Sequence, residues 1–213
     1  MRETLDSLKQ SLLDLDMDAA LAHARSILDG AAGVSAQDGV NAVAEVLQVV
    51  GKRFQEGEWF VGELVYAGEI AKSAMQVLSP AVAAGATRRL GTIVVGTVAG
   101  DLHDLGKNIF VNFARSSGFE IVDLGVNVAA AQFVDAVKAH QPLAVGMSCL
   151  LTITAGEVGK VVEALRAAGV RDRVKLIIGG AALTEQFARA VAADAFAPDA
   201  VTGTDIVKGW SAA

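Results

Sequence analysis

In the segment Gly100-Asp101-Leu102-His103-Asp104-Leu105-Gly106-Lys107-Asn108, a histidine has an aspartate two positions before it and a glycine three positions after it. An imidazole that ligates a metal through one nitrogen commonly donates its other N–H to a carboxylate, which fixes the tautomer and makes the ligand more basic. Asp101 is placed for that role, and Gly106 removes a side chain where a bulky group would approach the backbone. The competing reading makes Asp101 a helix cap and His103 an exposed loop residue; for an isolated Asp-x-His that reading is the default. Other Gly-loop chemistries fit poorly. A P-loop needs a different glycine spacing and a hydroxyl where Asn108 stands. A dinucleotide turn would not set two acids beside the helix N-terminus that receives a pyrophosphate. A phosphoacceptor domain would need an aspartate after its third strand, where Met147-Ser148-Cys149-Leu150 stands. A zinc site normally takes about three or four ligands, and the remaining histidines, His23 and His140, fall on predicted helices. A single protein ligand suits a metal already held by a macrocycle.

Two more loops belong with this one. Ser148-Cys149-Leu150-Leu151-Thr152-Ile153-Thr154 gathers hydroxyls, and Gly179-Gly180-Ala181-Ala182 leaves small residues beside them. Alone, the first could be helix capping and the second a tight turn. Together the three loops describe a groove with a metal ligand at its mouth.

The elements that must position these loops change character near residue 90. Before it, Leu5, Leu8, Leu12 and Leu15 recur at helical steps, then Leu21, Ala24, Ile27 and Leu28 on a second face. Asp16 or Asp18, and Ser35, are placed as N-caps. A third face runs from Val40 to Phe54 and stops at Gly57, and a fourth helix carries Leu64, Ile70, Met75 and Leu78 and is expected to end before Pro80. This predicts a four-helix bundle over 1–86, with a linker over 87–90. From Gly91 onward, β-branched runs alternate with amphipathic helices. Strands are predicted at 92–98, 120–124, 143–148, 174–178 and near Ala195. The intervening helices are predicted at 107–117, 130–140, 155–168 and 184–192, with a last one near 205–210. Near-continuous apolar strands imply a parallel sheet covered on both faces. The expected fold class is α/β: a helical bundle followed, over 91–213, by a Rossmann-like, flavodoxin-like, doubly wound five-stranded sheet. Ligands of such sheets sit at the carboxyl ends of the strands, where the three loops lie.

Composition narrows the classes further. The chain has 213 residues, 53% of them hydrophobic, enough for real cores. No apolar run approaches a membrane span, and the acidic start does not read as a secretory signal. One cysteine, Cys149, precludes an internal disulfide and fits a reducing, cytoplasmic setting. A net charge of -6 argues against nucleic acid as a partner.

Asp101-x-His103-x-x-Gly106, Ser148-x-Leu150 and Gly179-Gly180 resemble the cobalamin-binding signature of methionine synthase and of corrinoid methyl-carrier proteins. Val50-Gly51-Lys52-Arg53-Phe54-Gln55-Glu56-Gly57-Glu58-Trp59-Phe60-Val61 is similar to the family's cap segment. The two-part plan looks most like the stand-alone corrinoid proteins of methanol, methylamine and methoxyaromatic methyltransferase systems.

The resemblance implies a cobalamin or related corrinoid, with methylcobalamin as its charged form, bound base-off with His103 as the lower cobalt ligand. It implies cofactor contacts along Gly100, Asp101, Leu102, His103, Asp104 and Gly106. The detached nucleotide tail would run past Ser148, Leu150, Thr152, Gly179 and Gly180, with Asp199-Ala200 closing over it. Asp101, His103 and Thr154 would form a proton-handling chain, Thr154 standing where the family often has Ser. Phe54 and Val61, and less strongly Phe60, would cover the upper corrin face. The implied function is a methyl carrier subunit working with a substrate-specific methyltransferase, an acceptor methyltransferase that uses tetrahydrofolate or a thiol, and a reductive activator. A cobalamin-dependent sensor shares the same binding unit and is the alternative.

Overall fold

The computed structural model describes residues 2–30, 33–83 and 90–212. The chain divides into two compact units, Met1–Arg88 and Arg89–Ala213. Residues 87–89 of the expected linker lie outside the described residues.

The first unit contains helices α1 (Arg2–Leu13), α2 (Met17–Leu28), α3 (Ala36–Gln55) and α4 (Val61–Ala83). Asp16 caps α2 by accepting the Ala19 N–H at 2.9 Å. Ser35 and Asp38 form a reciprocal capping box at the start of α3, each side chain accepting the other's backbone N–H. The apolar stripes meet inside: Leu8, Leu12, Ile27, Val43, Val50, Ile70 and Leu78 are buried. Helices α3 and α4 approach closely at Gly39, where an added Cβ would lie 3.0 Å from Leu78 Cδ1. The expectation that α4 ends before Pro80 is corrected: the helix continues to Ala83. A proline near a helix C-terminus forfeits one backbone bond, which the remaining ladder absorbs.

The second unit is a five-stranded sheet in the order β2-β1-β3-β4-β5, with every pairing parallel. The strands are β1 (Thr92–Thr97), β2 (Glu120–Asp123), β3 (Ala144–Ser148), β4 (Lys175–Gly179) and β5 (Ala195–Ala197). Helices α5 (Leu105–Ser116), α6 (Ala130–His140), α7 (Ala155–Ala167), α8 (Glu185–Ala190) and α9 (Ala200–Ser211) connect or follow them. On one sheet face Phe133, Val161, Leu165 and Ile178 form a core beneath α6 and α7. On the other, Val95, Phe110, Ile177 and Val207 form a second core beneath α5 and α9. Covering both faces explains why the strands read as continuous apolar runs.

Two helix starts differ from expectation. Helix α9 begins at Ala200 rather than near 205, because Asp199 caps it through the Thr202 N–H at 2.7 Å. Gly203, a weak helix former, hides that start. Gly203 packs against Ala197 and Phe110, where an added Cβ would come within 3.1 Å of Ala197 Cβ. Helix α5 begins at Leu105, so Gly106 lies in its first turn.

The strand order reverses between β1 and β3, which are neighbours whose following helices cover opposite faces. Register places Thr97 beside Ser148, Ser148 beside Gly179, and Gly179 beside Ala197. The loops leaving these four residues therefore share one edge of the sheet.

Candidate cofactor-binding site

The β1–α5 loop is tied down before its histidine is reached. Asp101 N–H donates to the Val98 carbonyl at 3.2 Å, closing a turn. The Asp101 carboxylate is buried and accepts from four groups. Oδ1 receives the His103 backbone N–H at 3.0 Å and lies 2.7 Å from His103 Nδ1. Oδ2 receives the backbone N–H groups of Leu150 at 2.6 Å and Leu151 at 3.2 Å. Burial pushes the Asp101 pKa up, but these bonds, the His103 N–H foremost, outweigh it and hold the carboxyl at about 2. A carboxylate ionised at neutral pH takes the Nδ1 proton as donor, so the imidazole keeps Nε2 as its free lone pair. The His103 side chain is 52% exposed. Its backbone is held too, since Thr97 Oγ1 donates to the His103 carbonyl at 2.9 Å. Asp101 makes no cap for α5; Asp104 occupies that position and accepts instead from Asn108 Nδ2 at 3.0 Å.

A cavity of about 150 Å³ opens beside this loop at the carboxyl ends of β1, β3, β4 and β5. Gly106, Ser148, Gly179, Gly180, Asp199 and Ala200 line it, so five residues expected around a nucleotide tail, and the Asp199 that precedes Ala200, are brought together. The glycines act differently. A Cβ on Gly106 would meet nothing within 4 Å, so the space there is open to a ligand. A Cβ on Gly180 would lie 2.1 Å from the Cys149 carbonyl oxygen, and the residue has φ +118°, a conformation reserved for glycine.

The structure places other expected residues elsewhere. Leu150 and Thr152 are exposed and do not line the cavity; Leu150 contributes its backbone N–H to Asp101 instead. Thr154 is not joined to the Asp101–His103 pair. Its hydroxyl donates to the Leu151 carbonyl at 2.9 Å and lies 3.3 Å from Cys149 Sγ. A threonine hydroxyl is held by its β-methyl to few rotamers, and here the local carbonyl wins it. Gly100, with φ +78°, shapes the turn, while Leu102 and Asp104 are exposed flanks of His103. In the first unit Phe54 is half-buried, whereas Phe60 and Val61 stand exposed at the α3–α4 turn.

Several site residues escaped sequence reasoning. Asn127, in the loop after β2, takes a left-handed conformation at φ 54°. It clamps the β1 loop twice: its side-chain oxygen accepts the Gly100 N–H at 2.7 Å, and its own N–H donates to the Asp101 carbonyl at 3.0 Å. An asparagine after a Gly-Val pair was the available signal, since Asn tolerates that conformation. Lys107 is buried and paired with Asp123 at 2.6 Å, also donating to Asn108 at 2.8 Å, which pins the start of α5 to the end of β2. Leu102, Leu105, Val126, Leu150 and Ile153 are exposed on the three loops that meet at Asp101, Ile153 by 88%. A cluster of exposed apolar side chains around one imidazole suits a flat, largely apolar ligand face.

These residues fit a corrinoid. One imidazole offers a free Nε2, its tautomer is set by a buried carboxylate, apolar side chains surround it, and an open glycine-lined cavity lies alongside. Among the described residues, no three His, Cys, Asp or Glu side chains gather as a bare-metal site. No helix among the described residues is long and apolar enough to cross a membrane.

Comparison with known proteins agrees with this geometry. Residues 91–206 match the B12 binding domain, and residues 4–79 match a second B12 binding domain model. Trimethylamine corrinoid protein 2 of Methanosarcina mazei is 34% identical over 93% of this chain and 91% of its own length. A cobalamin-binding protein from Desulfitobacterium hafniense, known from its crystal structure, is 40% identical and superposes with a TM-score of 0.79 over 97% of this chain and 98% of its own. The same fold occurs in the methanol:cobalamin methyltransferase complex MtaBC of Methanosarcina barkeri, at 23% identity and a TM-score of 0.83 over 99% of this chain and 80% of that one. With both of its units matched and its tautomer-fixed histidine at the sheet's switch point, the chain belongs to the B12-binding corrinoid protein family.

Proposed function

We propose that this protein carries a methyl group on a bound corrinoid between two methyltransferases, with His103 as the axial ligand. The observation that supports this reading is the Asp101–His103 pair, in which Nδ1 is held at 2.7 Å and the exposed ring offers Nε2. When bound, the corrinoid's cobalt supplies a centre that accepts a methyl group from one donor and releases it to another acceptor. The protein's own part is narrower. Asp101 fixes the tautomer and orientation of His103. The half-exposed ring can move toward or away from a ligand while its backbone stays held by Thr97 and Asp101. Gly106, Ser148, Gly179, Gly180 and Ala200 leave room for the cofactor's nucleotide tail. Phe54 and Val61 are the residues we assign to shielding the upper face from water, and that shield must open for each partner.

The donor enzyme is proposed to be a methylamine methyltransferase, by likeness to the methylamine corrinoid proteins. The acceptor enzyme is proposed to use tetrahydrofolate or a thiol, and a reductive activator to restore oxidised cofactor in a cytoplasmic setting. The test is reconstitution with hydroxocobalamin, followed by methyl transfer from methylamines, methanol, methyl thiols and methoxyaromatics in the presence of the neighbouring gene products. Transfer from one donor class with stoichiometric corrinoid supports the reading. A protein that binds no corrinoid overturns it.

A further inference from the structure

The loop that carries His103 is held from two sides, and on one of them it hangs on an exposed asparagine. The loop after β2 is laced to the end of β1: Thr97 N–H donates to the Gly125 carbonyl at 3.0 Å, and the Thr97 carbonyl accepts the Val128 N–H at 2.9 Å. Asn127 lies between those two ties. Its Oδ1 accepts the Gly100 N–H at 2.7 Å, and its own N–H donates to the Asp101 carbonyl at 3.0 Å, so it brackets the Gly100–Asp101 segment. On the other side, the Asp101 carboxylate takes the N–H groups of Leu150 and Leu151. Asp101 is thus fixed at both ends, its main chain by the β2 loop and its carboxylate by the β3 loop. A left-handed turn alone would be served by glycine, as it is at Gly125 with φ 83°. What glycine cannot supply at 127 is the acceptor oxygen.

We propose that Asn127 is a positioning residue for the axial ligand: its side-chain oxygen holds the Gly100–Asp101 segment where Asp101 can orient His103. The inference rests on the proposed function, in which His103 Nε2 meets the cobalt. Asn127 acts through Asp101 and has no need to touch the cofactor. A loop already held in the ligating geometry surrenders little freedom when the imidazole binds. With the acceptor removed, the loop gains freedom while His103 is unligated and gives it up on ligation, so ligation weakens. The whole worth of one such hydrogen bond, about fivefold in an equilibrium, is the ceiling of the effect.

The experiment uses the full chain in four forms: wild type, Asn127→Gly, Asn127→Asp, and Asn127→Gly combined with His103→Ala beside His103→Ala alone. Asn127→Gly keeps the left-handed backbone and its N–H but removes the acceptor, whereas Asn127→Asp keeps the acceptor. In the apoprotein, amide exchange at Gly100 is expected to quicken about fivefold in Asn127→Gly. After reconstitution with hydroxocobalamin, the midpoint potential of the cobalt(II)/cobalt(I) couple reads ligation, because four-coordinate cobalt(I) holds no axial imidazole. Ligation weakened about two- to fivefold raises that potential by about 20 to 40 mV, at about 59 mV per tenfold for one electron. Asn127→Asp should restore both readings, and Asn127→Gly should shift nothing further once His103 is alanine. An unchanged potential or unchanged Gly100 exchange in Asn127→Gly overturns the inference while leaving the carrier function standing. The same holds for an equal shift on the His103→Ala background, or for failure of Asn127→Asp to restore the wild-type values. Failure of the wild-type chain to bind hydroxocobalamin overturns the proposed function itself.

Discussion

The carboxylate of Asp101 accepts the backbone N–H of Leu150 at 2.6 Å, joining the loop after β1 to the loop after β3. The same carboxylate lies 2.7 Å from His103 Nδ1, so one buried charge both joins the two loops and orients the imidazole. Its four donors keep it ionised far below the ordinary carboxylate range, with the pKa lowered from 3.8 to about 2.

That depression has a defined pH signature. A lowered folded-state pKa contributes stability that is present above the unfolded value and lost as pH falls through the folded one. Asp101 should therefore contribute about 2 kcal/mol at neutral pH, fading between about pH 4 and pH 2. Asp101→Asn should lack that pH-dependent contribution, because an amide offers one acceptor oxygen to four donors, so its deficit against wild type is largest at neutral pH and shrinks below about pH 4. Urea denaturation of wild type and variant across that range checks it; parallel stability curves would contradict it.

His103→Ala should keep the fold but cost about 1–2 kcal/mol, because the buried Asp101 carboxylate loses the Nδ1 donor at 2.7 Å while keeping three backbone N–H donors. In the cobalt(II) state of the reconstituted protein, the electron paramagnetic resonance spectrum should lose the hyperfine splitting from an axial nitrogen. An unchanged splitting would assign that nitrogen to another group.

Gly106 and Gly180 should separate binding from folding. Gly106→Trp adds a side chain into open space, so the apoprotein should melt like wild type while corrinoid uptake weakens about tenfold or more. Gly180→Ala drives a Cβ into the Cys149 carbonyl and should destabilise the apoprotein by about 3 kcal/mol. Thermal melts with and without hydroxocobalamin distinguish the two, and normal uptake by Gly106→Trp would place the tail elsewhere.

Phe54→Ala should leave corrinoid binding largely intact but expose the upper face to solvent. Photolysis of the methylated holoprotein should then quicken relative to wild type. Equal photolysis rates would remove Phe54 from the cap.

Much of this architecture was legible because its signals are local. The strands of the second unit are continuous apolar runs, the helices of the first carry regular apolar stripes, and Asp101, His103 and Gly106 stand within one short stretch of sequence. What was not legible depends on groups distant in sequence or on the backbone. Leu150 was expected to line the groove for the nucleotide tail, yet its backbone N–H holds Asp101, and no side-chain pattern encodes that. Thr154 was expected to extend the Asp101–His103 chain, but the nearby Leu151 carbonyl captures its hydroxyl. Asn127 clamps the site from the β2 loop through a left-handed conformation that composition does not mark. The start of α9 was hidden by Gly203, a glycine kept for close packing against Ala197 and Phe110.

The cross-strand knot at Asp101 also bears on biogenesis. During synthesis the β1 loop emerges well before Leu150 and Leu151, and until those amides arrive the carboxylate lacks half of its donors. A nascent chain halted before residue 151 would display the histidine motif without the frame that aims it. The frame that aims His103 is therefore a late product of synthesis, complete only once the loop after β3 has been made.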